Sequence, residues 1–204
     1  MLKISVLTSL YNCINHLENF VVHLVNFSSK YNDIEFLVLH NEPSSEELKI
    51  FERYRSQLGE NVRHITIPQR ESLYASWNRG IKLSQGDYVT IWNVDDLIIP
   101  EAILKVVKFM DSKPDVMLVY GNQVNIIKLG CNLKKKLVQP PRVKDNLCSK
   151  FLAMRSYYPG TFMVWRKALH DVIGFFDEQF FSGGDFDFWI RVVRSFPVMK
   201  SEEV

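Results

Sequence analysis

The run Gly86-Asp-Tyr-Val-Thr-Ile-Trp-Asn-Val-Asp95-Asp96 ends an apolar segment in two adjacent carboxylates, with the amide of Asn93 two residues before Asp95. Carboxylate oxygens gathered at one point are hard donors and suit a hard divalent cation such as Mg²⁺ or Mn²⁺. Such a cation in turn suits a diphosphate. The competing use of Asp-Asp is a polar turn that closes a strand and caps the helix beginning near Pro100. Motifs elsewhere in the chain tip the reading toward chemistry.

The elements that must carry these carboxylates alternate. Ile4 to Thr8 is a β-branched apolar run that predicts a strand. Asn15 with Glu18 predicts a capped helix, along which Leu17, Phe20, Val21, Leu24 and Val25 recur at helical spacing. Ile34 to Leu39 and Val62 to Ile67 read as the second and third strands. Between them Ser44 and Glu47 make a capping box, and Leu48, Phe51 and Leu58 form a narrow apolar stripe. Leu73, Trp77 and Ile81 line a helix ending near Gly86, and Asp87 to Trp92 is the fourth strand. Three successive strand–helix units predict an α/β fold with a mostly parallel central sheet flanked by helices. Ligands of such folds bind at the C-terminal ends of the strands.

The second half is less regular. Pro100 opens a helix with Ile103, Val106, Val107 and Met110 on one face, Val116 to Tyr120 and Thr161 to Trp165 read as strands, and a last helix starts near Asp185. Lys128, Lys134, Lys135, Lys136, Arg142, Lys144 and Lys150 crowd residues 128 to 150 beside one acid, Asp145. With Pro140-Pro141 this stretch predicts a loop, either solvated or facing anionic headgroups or a phosphorylated acceptor.

Composition excludes several classes. The chain has 204 residues, 47% hydrophobic and 24% charged, with a formal charge of +2, which gives no electrostatic footprint for nucleic acid. Gly-x-Gly-x-x-Gly follows none of the strands and no P-loop occurs, which argues against dinucleotide oxidoreductases and P-loop enzymes. Cys13, Cys131 and Cys148 lack zinc or redox spacing and read as reduced thiols of a cytoplasmic protein. No apolar run reaches the length of a membrane span, so membrane contact is expected to be peripheral, at the inner surface and through the 128–150 segment.

Four blocks in this order resemble family 2 glycosyltransferases with the GT-A (Rossmann-like) fold. They are Ser5-Val-Leu-Thr-Ser-Leu-Tyr-Asn12, Leu73-Tyr-Ala-Ser-Trp-Asn-Arg-Gly-Ile81, the Gly86–Asp96 run, and Gly174-Phe-Phe-Asp-Glu178 with Gly183-Gly-Asp-Phe-Asp-Phe-Trp-Ile-Arg191. The resemblance implies one domain over 1–204, with a nucleotide-binding half (1–98) and an acceptor-binding half (99–204) that could lack a C-terminal extension. It implies inverting transfer of a sugar from a nucleotide diphosphate, a UDP-sugar first, to a glycan or lipid-linked acceptor hydroxyl in polysaccharide or glycoconjugate assembly. Asp95 would hold Mg²⁺ or Mn²⁺, with Asp96 as support or turn cap. Asp185 would be the general base or, in the plainer alternative, the N-cap of the last helix. Ser9, Tyr11, His40, Arg70, Asn78, Asn93 and Val94 would line or support the nucleotide site. Trp165 and Trp189 are either sugar-facing rings or core, and Pro159-Gly160 would border the acceptor channel. The chain departs from the family pattern where His40 replaces an acid after the second strand, Asn93 opens the metal motif, and Gly184 precedes Asp185. These departures leave a noncatalytic nucleotide-sugar-binding module as the alternative. A sugar nucleotidyltransferase is disfavoured, because Ser5 to Asn12 lacks a Gly-rich basic loop.

Overall fold

A computed structural model describes residues 3–129, 132–144 and 147–201. The first half runs β1 (Ile4–Leu10), α1 (Ile14–Lys30), β2 (Ile34–Asn41), α2 (Ser45–Tyr54), β3 (Val62–Ile67), α3 (Leu73–Leu83) and β4 (Tyr88–Ile91). The second runs α4 (Pro100–Asp111), β5 (Leu118–Tyr120), β6 (Gln123–Leu129), β7 (Asn132–Val138), α5 (Leu147–Met154), β8 (Met163–Arg166), α6 (His170–Ile173), α7 (Gly184–Ser195) and β9 (Val198–Lys200).

One sheet has the order β3-β2-β1-β4-β8-β5-β9. β1 to β4 are mutually parallel, and β8 runs antiparallel between β4 and β5. The chain travels outward from β1 to β3, then returns to lay β4 on the other side of β1. That reversal between β1 and β4 is the topological switch point, where the connecting loops diverge and leave a crevice. Leu10 and Ile91 therefore open into one crevice, bringing the Tyr11 loop and the Asp95 loop together.

The elements form for the reasons read from the sequence. All of β2 is buried, as befits a strand between two others with both faces covered. Its one buried acid, Glu35, accepts from Ser5 Oγ, Arg63 Nη1 (2.8 Å) and the Gln85 backbone N–H (2.8 Å). The Ser44/Glu47 capping box is present at α2. Ile103, Val106, Val107 and Met110 bury the inner face of α4. One apolar cluster centres on Trp92, Phe20 and Phe36; the other joins α3 to α7 through Trp77, Phe176, Phe188 and Trp189.

Three expectations change. α1 begins at Ile14 with Cys13 at its N-cap rather than Asn15, and Glu18 turns to Arg53 and Tyr54. The Glu47 carboxylate instead accepts the Cys13 N–H (2.8 Å). Leu48 is exposed while Ile50 packs inward beside Phe51. The first part of the basic stretch pairs in a two-stranded hairpin of β6 and β7, with Lys134, Lys135 and Lys136 exposed along β7. Lysine spacing gives no strand signal, so the pairing was not legible. Cys131 and Asp145 lie outside the described residues.

Two tests follow from this packing. A methyl group at Gly86 would lie 2.7 Å from the backbone of Ile4 and Ser5. Gly86→Ala is expected to cost about 1–3 kcal/mol of unfolding free energy, read by urea denaturation. His170 accepts the Trp165 indole N–H at Nε2 (2.9 Å) and faces the Gly174 carbonyl through Nδ1 (3.0 Å), so it folds as the neutral ring. Burial above all, aided by Arg191, lowers its pKa to about 4. Its folded pKa thus lies below the unfolded value. The contribution is complete above about pH 6.5 and is lost as pH falls toward 4, a drop on the order of 3 kcal/mol. His170→Gln is expected to flatten the stability-versus-pH curve across that window.

Candidate active site

The floor of the crevice is a polar network at the ends of β1, β2 and α3. Asn41 Nδ2 donates to Ser76 Oγ (3.0 Å) and Ser9 Oγ (3.3 Å), and Ser9 Oγ meets Ser76 Oγ (3.0 Å). Above it the Arg70 guanidinium stacks 4.1 Å over the Tyr11 ring. Both side chains are exposed, and together they offer a flat cationic and aromatic surface to a ligand. A cleft of about 360 Å³ opens beside them, lined by Tyr11, Asn12, Ile14, Glu42, Ser44 and Glu47 among others. Asn12 and Glu42 carry positive φ (46° and 44°), so both loops turn sharply at the strand ends.

The Asn93–Asp96 turn is anchored from below. Trp92 is buried against Phe20 and Phe36, and its indole N–H donates to the Asp96 carbonyl (2.9 Å). The Asp96 backbone N–H donates to the Asn93 carbonyl (3.1 Å), and Asn93 Nδ2 donates to the Asp96 carboxylate (2.9 Å). Asp96 is thereby tied into the turn, and Val94 packs against the cluster around Trp92. Asp95 remains as an exposed carboxylate at the tip. Burial, with the Asp95 charge beside it, pushes the Asp96 carboxyl above its ordinary value, against the pull of the Asn93 amide. Two carboxylates in this state fit a hard dication, which would relieve their repulsion.

Asp185 sits in the first turn of α7, behind Gly183 as the N-cap in the left-handed region (φ 79°). It is not the cap itself. The Gly184 N–H donates to Tyr74 Oη (2.8 Å), and a side chain at 184 would meet the Tyr74 ring at 2.8 Å. That contact is the physical reason for glycine before Asp185. Tyr74 and Tyr157 neighbour the Asp185 carboxylate: burial above all, and the Asp185 charge after it, push both phenol hydroxyls above their ordinary range. Tyr157 Oη also lies 3.9 Å from Met163 Sδ, and the Met163 carbonyl accepts from Thr90 Oγ1 (2.8 Å). These contacts set Tyr157, a neighbour of Asp185, against the last residues of β4, the strand that leads to Asp95. Asp187 is occupied by Arg191 (2.8 Å).

Several expected residues lie elsewhere. His40 is fully buried, bonded through Nδ1 to His64 (3.1 Å) and packed on Phe51, so it presents no edge to a nucleotide base. The side chain of β2 that does reach the floor is Asn41. Asn78 is a clamp between α3 and the Phe176 segment rather than a support of the Asp95 loop. Its amide brackets Phe176 (Nδ2 to O 2.8 Å; N–H to Oδ1 2.9 Å) and donates to Glu178 (2.9 Å). Trp165 and Trp189 are fully buried, with their indole N–H groups on His170 and on the Ala153 carbonyl (2.8 Å), so they are core rather than sugar platforms. Pro159 is buried, and Gly160 takes φ 58° beside Gln123. Sequence reading passed over Trp92, Tyr74, Tyr157 and Ser76. Trp92, Tyr74 and Ser76 fall inside quoted motifs, yet only the fold shows what they touch.

The sequence matches Glycosyl transferase family 2 over residues 5–173, and the chain belongs to that family. An uncharacterized glycosyltransferase of Methanocaldococcus jannaschii is 24% identical over 80% of this chain and 55% of its own length. The amylovoran biosynthesis glycosyltransferase AmsE of Erwinia amylovora is 25% identical over 93% of this chain and 69% of its own. Among solved structures, S. aureus TarS 1–349 in complex with UDP-GlcNAc superposes with a TM-score of 0.70 at 18% identity, covering 100% of this chain and 57% of TarS. The Pyrobaculum calidifontis mannosyltransferase PcManGT, with GDP-Man and Mn²⁺, gives 0.66 at 14%, covering 98% and 54%. The fold is therefore GT-A, and the chain spans about half the length of several of these relatives.

Replacing Asn78 by Leu strands the buried N–H and carbonyl of Phe176. A loss of about 2–4 kcal/mol in urea denaturation is the expected outcome.

Proposed function

We propose that this chain is an inverting glycosyltransferase domain that moves a hexose from a nucleotide diphosphate, a UDP-sugar first, to an acceptor hydroxyl. The observation that carries the reading is an exposed Asp95 on the loop after β4 at the switch-point crevice, together with Asp185 in the first turn of α7 beside Tyr74 and Tyr157. The UDP-GlcNAc complex of TarS, on the same fold, supports the donor class.

Tyr11 and Arg70 flank the nucleotide, and Ser9 with Asn41 shapes the floor beneath it. Asn93 and the Val94 backbone border the ribose. Asp95 is the residue to hold Mg²⁺ or Mn²⁺, in keeping with the Mn²⁺ of PcManGT, and that ion would offset negative charge growing on the diphosphate. Asp185 takes the proton of the acceptor hydroxyl as its oxygen bonds to the anomeric carbon. The bond from that carbon to the diphosphate breaks in the same displacement, and its electron pair leaves with the diphosphate. Tyr74 and Tyr157 flank the carboxylate and shield it from solvent, which favours the proton transfer.

Residues 1–98 would bind the nucleotide and 99–204 the acceptor, a glycan or lipid-linked hydroxyl. AmsE supports a place in polysaccharide or glycoconjugate assembly. Among the described residues no helix is long and apolar enough to cross a membrane. The exposed lysines of β7 suit contact with the inner membrane surface of the cytoplasm.

Calorimetric titration with UDP-, GDP- and dTDP-sugars, with and without Mn²⁺, tests the reading. A UDP-sugar is expected to bind at least tenfold tighter with Mn²⁺, an enhancement that Asp95→Asn removes. Slow donor hydrolysis is expected to fall at least about 10²-fold in Asp185→Asn with binding retained. Binding with hydrolysis indifferent to Asp185 would instead favour a noncatalytic nucleotide-sugar module. No binding of any nucleotide would reject both.

A further inference from the structure

Beneath the Tyr11 loop, three potential metal ligands from three different elements converge. Cys13 comes from the loop after β1, His40 from the end of β2 and Glu47 from the first turn of α2. All three are buried, at 6%, 0% and 3% exposure, and their ligand atoms lie within 4.8 Å of one another. Cys13 Sγ is 3.6 Å from Glu47 Oε1, and His40 Nε2 is 3.8 Å from Glu47 Oε2. Bonds of about 2.0–2.3 Å around a tetrahedral Zn²⁺ put neighbouring ligands roughly 3.3–3.8 Å apart. The Sγ–Oε1 separation matches an edge of that tetrahedron, and His40 Nε2, within 4.8 Å of the other ligand atoms, needs only a small shift to complete it.

A second observation points the same way. His40 Nε2 has no hydrogen-bond partner although the residue is fully buried, and it faces this cluster. A buried ring nitrogen without a partner is costly. The other nitrogen, Nδ1, contacts His64 Nε2 (3.1 Å). With the proton on Nδ1, His40 donates to His64 and turns the lone pair of Nε2 toward Cys13 and Glu47. That is how a metal-binding histidine is oriented by its outer neighbour.

We propose that Cys13, His40 and Glu47 bind one Zn²⁺ ion, separate from any cation at Asp95, with a water from the adjoining cleft as fourth ligand. Binding expels the Cys13 thiol proton to solvent and forms bonds to Sγ, Nε2 and a Glu47 oxygen. Glu47 already accepts from Cys13 N (2.8 Å), Ser44 N (2.9 Å) and Ser44 Oγ (2.9 Å). Loss of the thiol proton frees one lone pair on Oε1, so those hydrogen bonds survive. One thiolate and one carboxylate cancel the charge of the dication, which makes burial affordable. Sulfur, imidazole and carboxylate together select zinc over magnesium. Glu47 also lines the cleft, which supplies an entry path. The ion would pin the Tyr11 and Glu42 loops to each other at the mouth of the crevice.

The test is metal content and cobalt spectroscopy on the whole chain. After zinc loading and desalting, plasma mass spectrometry is expected to find about one zinc per chain, unchanged in Asp95→Asn and at least tenfold lower in Cys13→Ser. Co²⁺ added to metal-free protein is expected to give a thiolate-to-cobalt charge-transfer band and tetrahedral d–d absorption. The cobalt spectrum needs no variant, so it stands even if Cys13→Ser fails to fold. Absence of the thiolate band in the unaltered protein, or full zinc content in a folded Cys13→Ser, would overturn the proposal.

Discussion

The parallel pairing of β1 with β4, Ile4 opposite Tyr88 through Leu7 opposite Ile91, is the constraint on which the site depends. It places two strands separated by some eighty residues of sequence side by side and pointing the same way. Their C-terminal loops then have to share a crevice. The strands approach so closely at their entry that Gly86 has no room for a side chain. Trp92, at the far end, locks the Asp95 turn to the core through its buried ring and its bond to Asp96.

The second half is attached by fewer but more specific contacts. Asn78 brackets the Phe176 backbone, and Tyr74 receives the Gly184 N–H. Both residues lie on α3, a helix that also packs against β1 and β2. α3 thus transmits the position of the parallel sheet to the start of α7 and so to Asp185. A helix that looks in sequence like one more crossover is the mechanical link between the two carboxylates.

The polar groups buried behind the crevice divide by their satisfaction. Glu35 has three donors and Asn41 spans two serines, so each is a closed structural network. His40 has a partner on one nitrogen only. Closed networks stiffen the strands, whereas an unsatisfied buried nitrogen marks a place where something further can bind.

Spacing made β1 to β4, the α2 capping box and, in the second half, the inner face of α4 legible, because local sequence sets which face is apolar. Asp95 stands out in sequence because it closes an apolar run, whereas Asp185 is marked by the family resemblance of the blocks around it. The rest depended on tertiary structure. Cys13 displaced Asn15 as the cap of α1 because a carboxylate from α2 is there to meet its backbone. His40, Trp165 and Trp189 are chemically suited to ligands, yet burial turns them inward. Tyr74 and Trp92 look like ordinary core aromatics until the Tyr74 hydroxyl is seen on the Gly184 N–H beside Asp185 and the Trp92 indole on the Asp96 carbonyl. Residue type sets what a side chain can do; which partners stand within three ångströms is set by strands and helices far apart in the chain, and hydrogen bonding at that range decides what it does.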